Sequence, residues 1–564
     1  MSSLGLGYDK YVDALVPGVT NVRPARYTVR IYGTWGGGKS SILRALKSAL
    51  ESDDMPVRKF DAWRYAQNLN VLVSLIYEIN EALPKQGSPF WKPIGRGLRA
   101  VTAEMSVPTP LGTSYSQIVS IMLTPGMSRA GQIIDPSFND LLQAANLTMD
   151  KRGRVEVEIP FIDGIPQFEQ ASRWFRERKP PETLVFAEHA GMATMTGIRW
   201  ARHTGSSFVT GTLQPDCTIL GRPRRVKTSY KLREMMTNMD GLTPWANFRP
   251  VETSDEAAGT LTVTVAAPSP LSFRVAGFTY SIVENAPWSA RSGSRFHVES
   301  EAAIVTHAHR GATPEEHLTA QWPIRALLTL LYAAPIRWRR HRIRDSTFPT
   351  WMLAGPPRLA IFTDLIHART AEDATLPAAR DASFAVAALD LADLGTRGLR
   401  RWVSLYQDDV FRRAIEPAVE VLNGASKFLE PQVMMLAMAL DALGFYRDPD
   451  RRSGTAMWAQ IDRCITAANV DVSRIGSSQD VARLIANTNN DLKHPDRLER
   501  PDHLRLTLVA DLATTIFRCQ LFDLLSQPEE RLRRFVKWGD ADQALAAFSR
   551  NRVRVGAGGH LVPT

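Results

Sequence analysis

The run Gly33-Thr34-Trp35-Gly36-Gly37-Gly38-Lys39-Ser40 constrains this chain more than any other stretch of its sequence. It fits the pattern G-x-x-x-x-G-K-[ST], and the spacing has a chemical reason. Glycines let the backbone curl until several N–H groups point at one anion. The lysine then reaches the outer phosphates of a nucleotide, and the hydroxyl after it can hold Mg²⁺. The flanks agree. Tyr27-Thr28-Val29-Arg30-Ile31-Tyr32 reads as a buried strand entering the loop, and Ser41 to Leu50 as an amphipathic helix leaving it. The helix N-terminus adds partial positive charge where phosphates would sit. Strand, glycine loop and helix in that order predict an α/β segment at the start of the chain.

Val57-Arg58-Lys59-Phe60-Asp61-Ala62-Trp63-Arg64-Tyr65 follows as a second strand and turn. A tryptophan inside the loop, together with Phe60-Asp61-Ala62-Trp63, resembles the KAP family of P-loop NTPases from about Tyr8 to about Leu83. The resemblance implies binding of ATP by Gly33, Thr34, Trp35, Gly36, Gly37, Gly38, Lys39, Ser40 and Ser41, with Mg²⁺ at Ser40. Hydrolysis needs a second element, an apolar strand ending in an acid that serves the metal and the attacking water. KAP proteins usually carry a run of aspartates there, and this chain has none. The nearest candidates are Val155 to Asp163 and Leu359 to Asp364. Pro160 argues against a central position for the first strand. The second lies far along the chain, in what reads as another domain. Both read as ordinary strands ending in turns, so the P-loop segment reads as truncated.

The chain has 564 residues, enough for roughly three or four domains. Hydrophobic content of 44% with 22% charged residues fits globular structure and excludes a disordered chain. The net charge of +10 favours polyanionic partners, unless it reflects only an arginine-rich composition. Cys217, Cys464 and Cys519 are widely spaced, form no CxxC pair, and suit a reducing cytoplasm. The first residues show no basic-then-apolar signal, and no stretch approaches the ~20 apolar residues of a membrane span. The expectation is a cytoplasmic protein without a membrane partner.

Composition divides the rest. Residues 1–95 form the P-loop segment, and 96–150, punctuated by Gly, Pro and Ser, read as a linker. Residues 151–371 read as β-rich, a sandwich or distorted barrel. Leu261-Thr262-Val263-Thr264-Val265 alternates like a half-buried strand, and glycines recur at hairpin intervals. A helix interrupts this region at Pro314, with Glu315 and Glu316 in its first turn. Residues 379–538 read as an all-α bundle, and the glycine-rich 552–564 as a flexible tail. The expected fold class is therefore multi-domain α+β.

In the helical part, Asn487-Thr488-Asn489-Asn490-Asp491-Leu492-Lys493-His494-Pro495 puts Asn490 and His494 on one helix face. This segment resembles the HEPN domain, whose signature is R-N-x-x-x-H or a looser R-x(4–6)-H. Together with Gly241-Leu242-Thr243-Pro244-Trp245-Ala246-Asn247-Phe248 and the glycine-punctuated β region, residues from about 152 to 530 resemble the ApeA-type architecture of bacterial anti-phage proteins. The resemblance implies metal-independent RNA cleavage, with tRNA a candidate target, at a homodimer interface. His494 would act as general acid or base. Asn490 matches the signature asparagine, but Asn489 stands where arginine is expected. Lys493 could supply the missing charge, less well shaped for two phosphate oxygens. Arg497 and Arg483 are further candidates.

Two basic clusters stand out, Arg337 to Arg344 and Arg222-Pro223-Arg224-Arg225-Val226-Lys227. The first reads as a solvated strand edge more readily than a phosphate clamp. His307, His309 and His317 lack a convincing third zinc-ligand spacing. The combined expectation is an anti-phage effector that responds to a phage-derived trigger, gated by nucleotide and cutting RNA. The rivals are a non-catalytic nucleotide-binding sensor or scaffold, and a KAP-type ATPase with an unplaced acid.

Overall fold

A computed structural model describes residues 9–20, 39–52, 123–134, 143–188, 191–205, 208–256, 260–266, 268–285, 288–291, 295–298, 300–349, 362–377, 384, 386–450, 454–494, 496 and 500–564. The chain divides into two compact units, Met1–Pro108 with Met352–Pro356, and Thr109–Trp351 with Pro357–Thr564.

In the first unit, α1 (Asp9–Thr20) packs on α2 (Lys39–Ser52). Ile42 and Leu50 are buried two turns apart on α2, as an amphipathic surface helix requires. The strand expected at Tyr27–Tyr32, the one at Val57–Tyr65 and the helix expected at Val71–Leu83 lie outside the described residues.

The second unit is built on a twelve-stranded antiparallel sheet, and half of it closes on itself. The strands β1 (Ser128–Ile134), β2 (Gln143–Met149), β3 (Val155–Ile162), β4 (Thr183–Glu188), β5 (Gly191–Thr204) and β6 (Phe208–Ile219) follow the order β6-β3-β2-β1-β4-β5. Pairing of β5 with β6 seals a six-stranded barrel. Alternate residues fill it: Ala145, Leu147 and Met149 from β2, and Val155, Val157, Ile159 and Phe161 from β3. The helix α3 (Glu169–Arg176) buries Ala171, Trp174 and Phe175 in the same core, with Phe175 stacked on Phe161 at 5.3 Å. A Cβ at Gly211 would run into the Phe175 ring, so this position on β6 must stay bare.

Two expectations are corrected here. The stretch 96–150 is not wholly a linker, because it supplies β1 and β2. Each is only seven residues long, and its partners lie elsewhere in the sheet. Pro160, moreover, sits in a strand with a neighbour on each side. Its carbonyl accepts from Gln143 Nε2 on the β2 side, beyond the last β2–β3 pair at Glu158. Its missing N–H therefore falls where the ladder has already ended, and no sheet bond is lost.

β6 continues past the barrel into an open sheet. This comprises β7 (Leu232–Met239), β10 (Leu271–Val275), β11 (Phe278–Asn285), β14 (Glu301–Ala312), β15 (Trp338–Arg344) and β16 (Thr363–His367), in the order β10-β11-β14-β7-β15-β16-β6. The pairs β8 (Val251–Glu256) with β9 (Thr260–Val265), and β12 (Trp288–Arg291) with β13 (Arg295–Val298), form separate hairpins. The short α4 (Leu242–Ala246) buries Trp245. Across the open sheet lies α5 (Pro314–Tyr332), opened by a capping box between Thr313 and Glu316, with Pro314 in its first turn.

The helices that follow are α6 (Ala371–Thr375), α7 (Leu391–Leu405), α8 (Asp409–Leu422), α9 (Leu429–Arg447), α10 (Met457–Ala467), α11 (Ser478–Lys493), α12 (His503–Leu524), α13 (Glu529–Trp538) and α14 (Asp540–Arg550). They are not a separate domain. One hydrophobic core runs from Ile219 and Ile304 of the sheet through α5 to Phe517 and Phe548. The tail is not frayed either. β17 (Val553–Gly556) and β18 (His560–Pro563) form a hairpin, and Val555 N–H bonds Ile475 O at 2.7 Å.

Candidate functional site

The loop Gly33, Thr34, Trp35, Gly36, Gly37 and Gly38 lies outside the described residues, as do the side chains of Lys39 and Ser40. The backbone of its exit is described. α2 begins at Lys39, so the lysine and the following serines open a helix whose first N–H groups have no intrahelical partner. That is the arrangement a nucleotide phosphate requires. The residue set fits ATP with Mg²⁺: an ammonium at Lys39, a hydroxyl at Ser40 and a helix start behind a glycine loop.

Both acids considered as partners for the loop are engaged within the second unit. Asp163 follows β3 and accepts from Ser172 and Arg176 of α3. The Arg176 bond holds its carboxyl below the usual range, helped by Ser172. Asp364 on β16 takes a bidentate bond from Arg340 of β15, at 2.8 and 3.0 Å. Each carboxylate thus has a structural partner in its own unit.

The stripe of α11 expected to carry RNA chemistry divides by burial. Asn490 is half-buried, while Lys493 and His494 are exposed. His494 closes the helix, its N–H bonding Asn490 O at 3.0 Å. Asn489, where arginine was expected, is fully buried and donates to Met457 Sδ at 3.4 Å. The Lys493 charge falls partly on Asp441 of α9, whose carboxyl is pushed up by burial and drawn down by that ammonium. Arg483 lies over the Trp458 ring at 4.6 Å and pairs with Asp480. Arg497 lies outside the described residues. One arginine was not anticipated. Arg505, in the first turn of α12, bonds Thr488 Oγ1 at 2.9 Å and Asp491 at 2.9 Å. It brings a guanidinium to the last turns of α11, and no local motif announces it.

The Arg337–Arg344 run is corrected from edge to interior. β15 has β7 on one side and β16 on the other, and Trp338 is buried. Arg339 forms a bidentate pair with Asp240, Arg340 with Asp364 and Arg344 with Glu234. Arg342 reaches Glu301 at 3.9 Å. The run is a ladder of cross-strand ion pairs. His317 is buried, its Nε2 on Leu232 O and its Nδ1 on Thr306. Among the described residues no group of three or more His, Cys, Asp or Glu could hold a metal. Nor is any helix among them long and apolar enough to cross a membrane.

No curated protein and no solved structure matches this chain. Over residues 8–89, which include α1 and α2, the sequence matches the KAP family P-loop domain, and such a domain points to nucleotide binding by this segment.

Proposed function

We propose that this protein is an ATP-responsive effector of bacterial anti-phage defence. Its P-loop segment binds ATP·Mg²⁺ and gates cleavage of RNA, with tRNA as the target to test first, by the second unit. The observation that carries the nucleotide half is the start of α2 at Lys39, inside the stretch that matches the KAP P-loop domain. Lys39 would bind the outer phosphates, and Ser40 the metal. RNA cleavage is the finer reading. It rests on exposed His494 and Lys493 beside Asn490, with Arg505 holding a guanidinium at the same helix end. His494 would move the proton of the attacking 2′-hydroxyl, and the cations would steady charge on the phosphate. A second copy would complete such a site, making the active form a homodimer.

One observation favours a non-catalytic sensor or scaffold instead. Asn489 points into the core, so the signature position offers no arginine to a substrate. One experiment separates these readings. Labelled ATP with Mg²⁺ should bind the full chain, and Lys39→Ala should weaken binding at least ~10-fold by removing the phosphate-binding ammonium. Incubation with tRNA in EDTA, beside His494→Ala, then reads the second half. Cleavage lost in that variant supports the effector, and ATP binding without cleavage supports the sensor. No ATP binding removes both.

A further inference from the structure

The two basic clusters have opposite fates. The arginines of β15 at 339, 340, 342 and 344 all meet carboxylates. Part of the loop between β6 and β7 behaves otherwise. Arg224, Arg225 and Lys227 are exposed, and none of them has an ion pair among the described residues. Lys231, at the foot of β7, and Arg310, near the end of β14, are also exposed and without an ion pair among the described residues. These segments adjoin, since a Cβ on Gly311 would stand 3.2 Å from Lys231 Cβ. The carboxylates of adjoining segments do not neutralise them. Glu234 is taken by Arg344, and Asp345 accepts the backbone N–H groups of Arg233 and Thr347. Glu182, beside Thr183, pairs with none of the five.

The loop is also held in shape. Pro223 is buried, and Arg224 N–H bonds Thr347 O at 2.8 Å. Tyr230 Oη accepts from Lys227 N–H and donates to Arg225 O, with its ring 5.0 Å from Phe348. Thr183 Oγ1 fastens Thr228 O at 2.8 Å. These anchors use loop backbone groups, two hydroxyls and apolar contact, and none takes up the charged end of Arg224, Arg225 or Lys227. Five cations spread over adjoining exposed segments suit an extended polyanion better than one small phosphate. A fixed loop forfeits little entropy on binding, and guanidinium forks match phosphate oxygens two at a time.

We propose that Arg224, Arg225, Lys227, Lys231 and Arg310 form a binding surface for the phosphate backbone of a nucleic acid. The proposal deepens the RNA-directed reading by giving the nucleic acid a place to dock, and rests on that reading only for the class of ligand. It is tested apart from cleavage, in full-length His494→Ala, by anisotropy of a fluorescein-labelled single-stranded RNA and a duplex DNA. Measurements run between about 50 and about 200 mM salt, and binding should weaken steeply across that range. The triple substitution Arg224→Ala, Arg225→Ala, Lys227→Ala should weaken binding at least ~10-fold and flatten the log–log salt slope by about 2 to 3. Arg533→Ala with Arg534→Ala, on exposed α13, should change neither. Equal melting curves for the variants exclude misfolding as the cause. No binding to either nucleic acid at the low salt, or an unchanged slope in the triple variant, would overturn the proposal. Binding that survives without cleavage in the wild-type chain would sink the nuclease reading and leave the surface standing.

Discussion

His341 shows how one side chain can tie stability to pH. It is buried in the sheet, with Nδ1 2.9 Å from Thr237 Oγ1 and Nε2 2.8 Å from Thr370 Oγ1. Thr370 donates its own hydroxyl proton to His367 O, so it must accept from His341 Nε2–H. Nδ1 is then bare and accepts from Thr237. The neutral tautomer satisfies every atom, whereas a second proton would face Thr237 and leave that hydroxyl without its acceptor. Burial and the nearby His367 ring push the His341 pKa down to about 3. Burial is also the leading cause of the lowered values of His317 and His367. The folded state therefore binds fewer protons than the unfolded one below the ordinary histidine range. Stability from His341 is complete above about pH 6.5 and declines as pH falls toward about 3. Buried carboxyls such as Asp441 and Glu284, raised by burial, act in the opposite direction at lower pH. Setting the wild type against a His341 substitution removes their contribution from the comparison. From pH 7.5 to 5.5, wild-type unfolding free energy should fall by about 1.4 kcal/mol more than that of His341→Gln, which can serve both threonines but cannot titrate there. Urea melts at the two pH values decide it, and equal losses would assign the acid sensitivity elsewhere.

Among the elements, the terminal hairpin bears most directly on the candidate site, because it lies against the helix that carries Asn490 and ends before His494. Gly558 N–H bonds Asp480 Oδ1, and Asn487 Nδ2 bonds Gly558 O, both at 3.0 Å. Gly559 has φ of +78°, and a Cβ there would come 2.5 Å from Leu484 N. Gly559→Ala should thus cost at least ~1 kcal/mol, from the left-handed backbone and the clash together. It should also expose the tail to protease at concentrations the wild type survives. An unaltered melt would mean the hairpin merely rests on α11. Those same glycines suggest a frayed end in sequence, because composition cannot reveal that a turn is docked. α2 and α5 were legible for the opposite reason. Their signals, glycine loop then Lys39, and Pro314 then Glu315 and Glu316, are local and lie within a few residues of the helix start. The β15 arginines were misplaced at an edge because their partners Asp240, Asp364, Glu301 and Glu234 come from other strands. At the candidate site, helical spacing put Asn490 and His494 on one face as an expectation, and the structure makes His494 the cap whose N–H bonds Asn490 O. Arg505 escaped notice because it arrives from the next helix.

At the scale of the second unit, sheet and helices share one core, and this determines what can fold alone. Several buried polar groups on either side of the expected boundary near residue 379 need a partner across it. Arg518 of α12 is buried and bonds Leu330 O at 2.8 Å and Leu331 O at 2.7 Å, carbonyls in the last turn of α5. Trp402 Nε1 bonds Pro323 O, and Trp245 Nε1 bonds Leu389 O. Asn423 Oδ1 accepts from Thr329 and from Ile336 N–H. Cutting the chain there would take two carbonyl acceptors from a buried guanidinium, at a cost of about 3–5 kcal/mol. It would also bare the apolar surface that Leu327, Leu328 and Leu331 cover. That penalty is comparable to the whole stability of an ordinary domain. A fragment of residues 379–564 should therefore be insoluble or molten, keeping helical far-UV signal without fixed near-UV signal. A fragment of residues 109–564 should unfold in one cooperative transition followed alike by tryptophan fluorescence and far-UV signal. A cooperatively folded 379–564 would show that the bundle owns its core, and that the sheet was added to an independent domain. If 109–564 melts as one body, any signal that loosens the open sheet must also reach α11, since the open sheet and α11 contribute to one hydrophobic core.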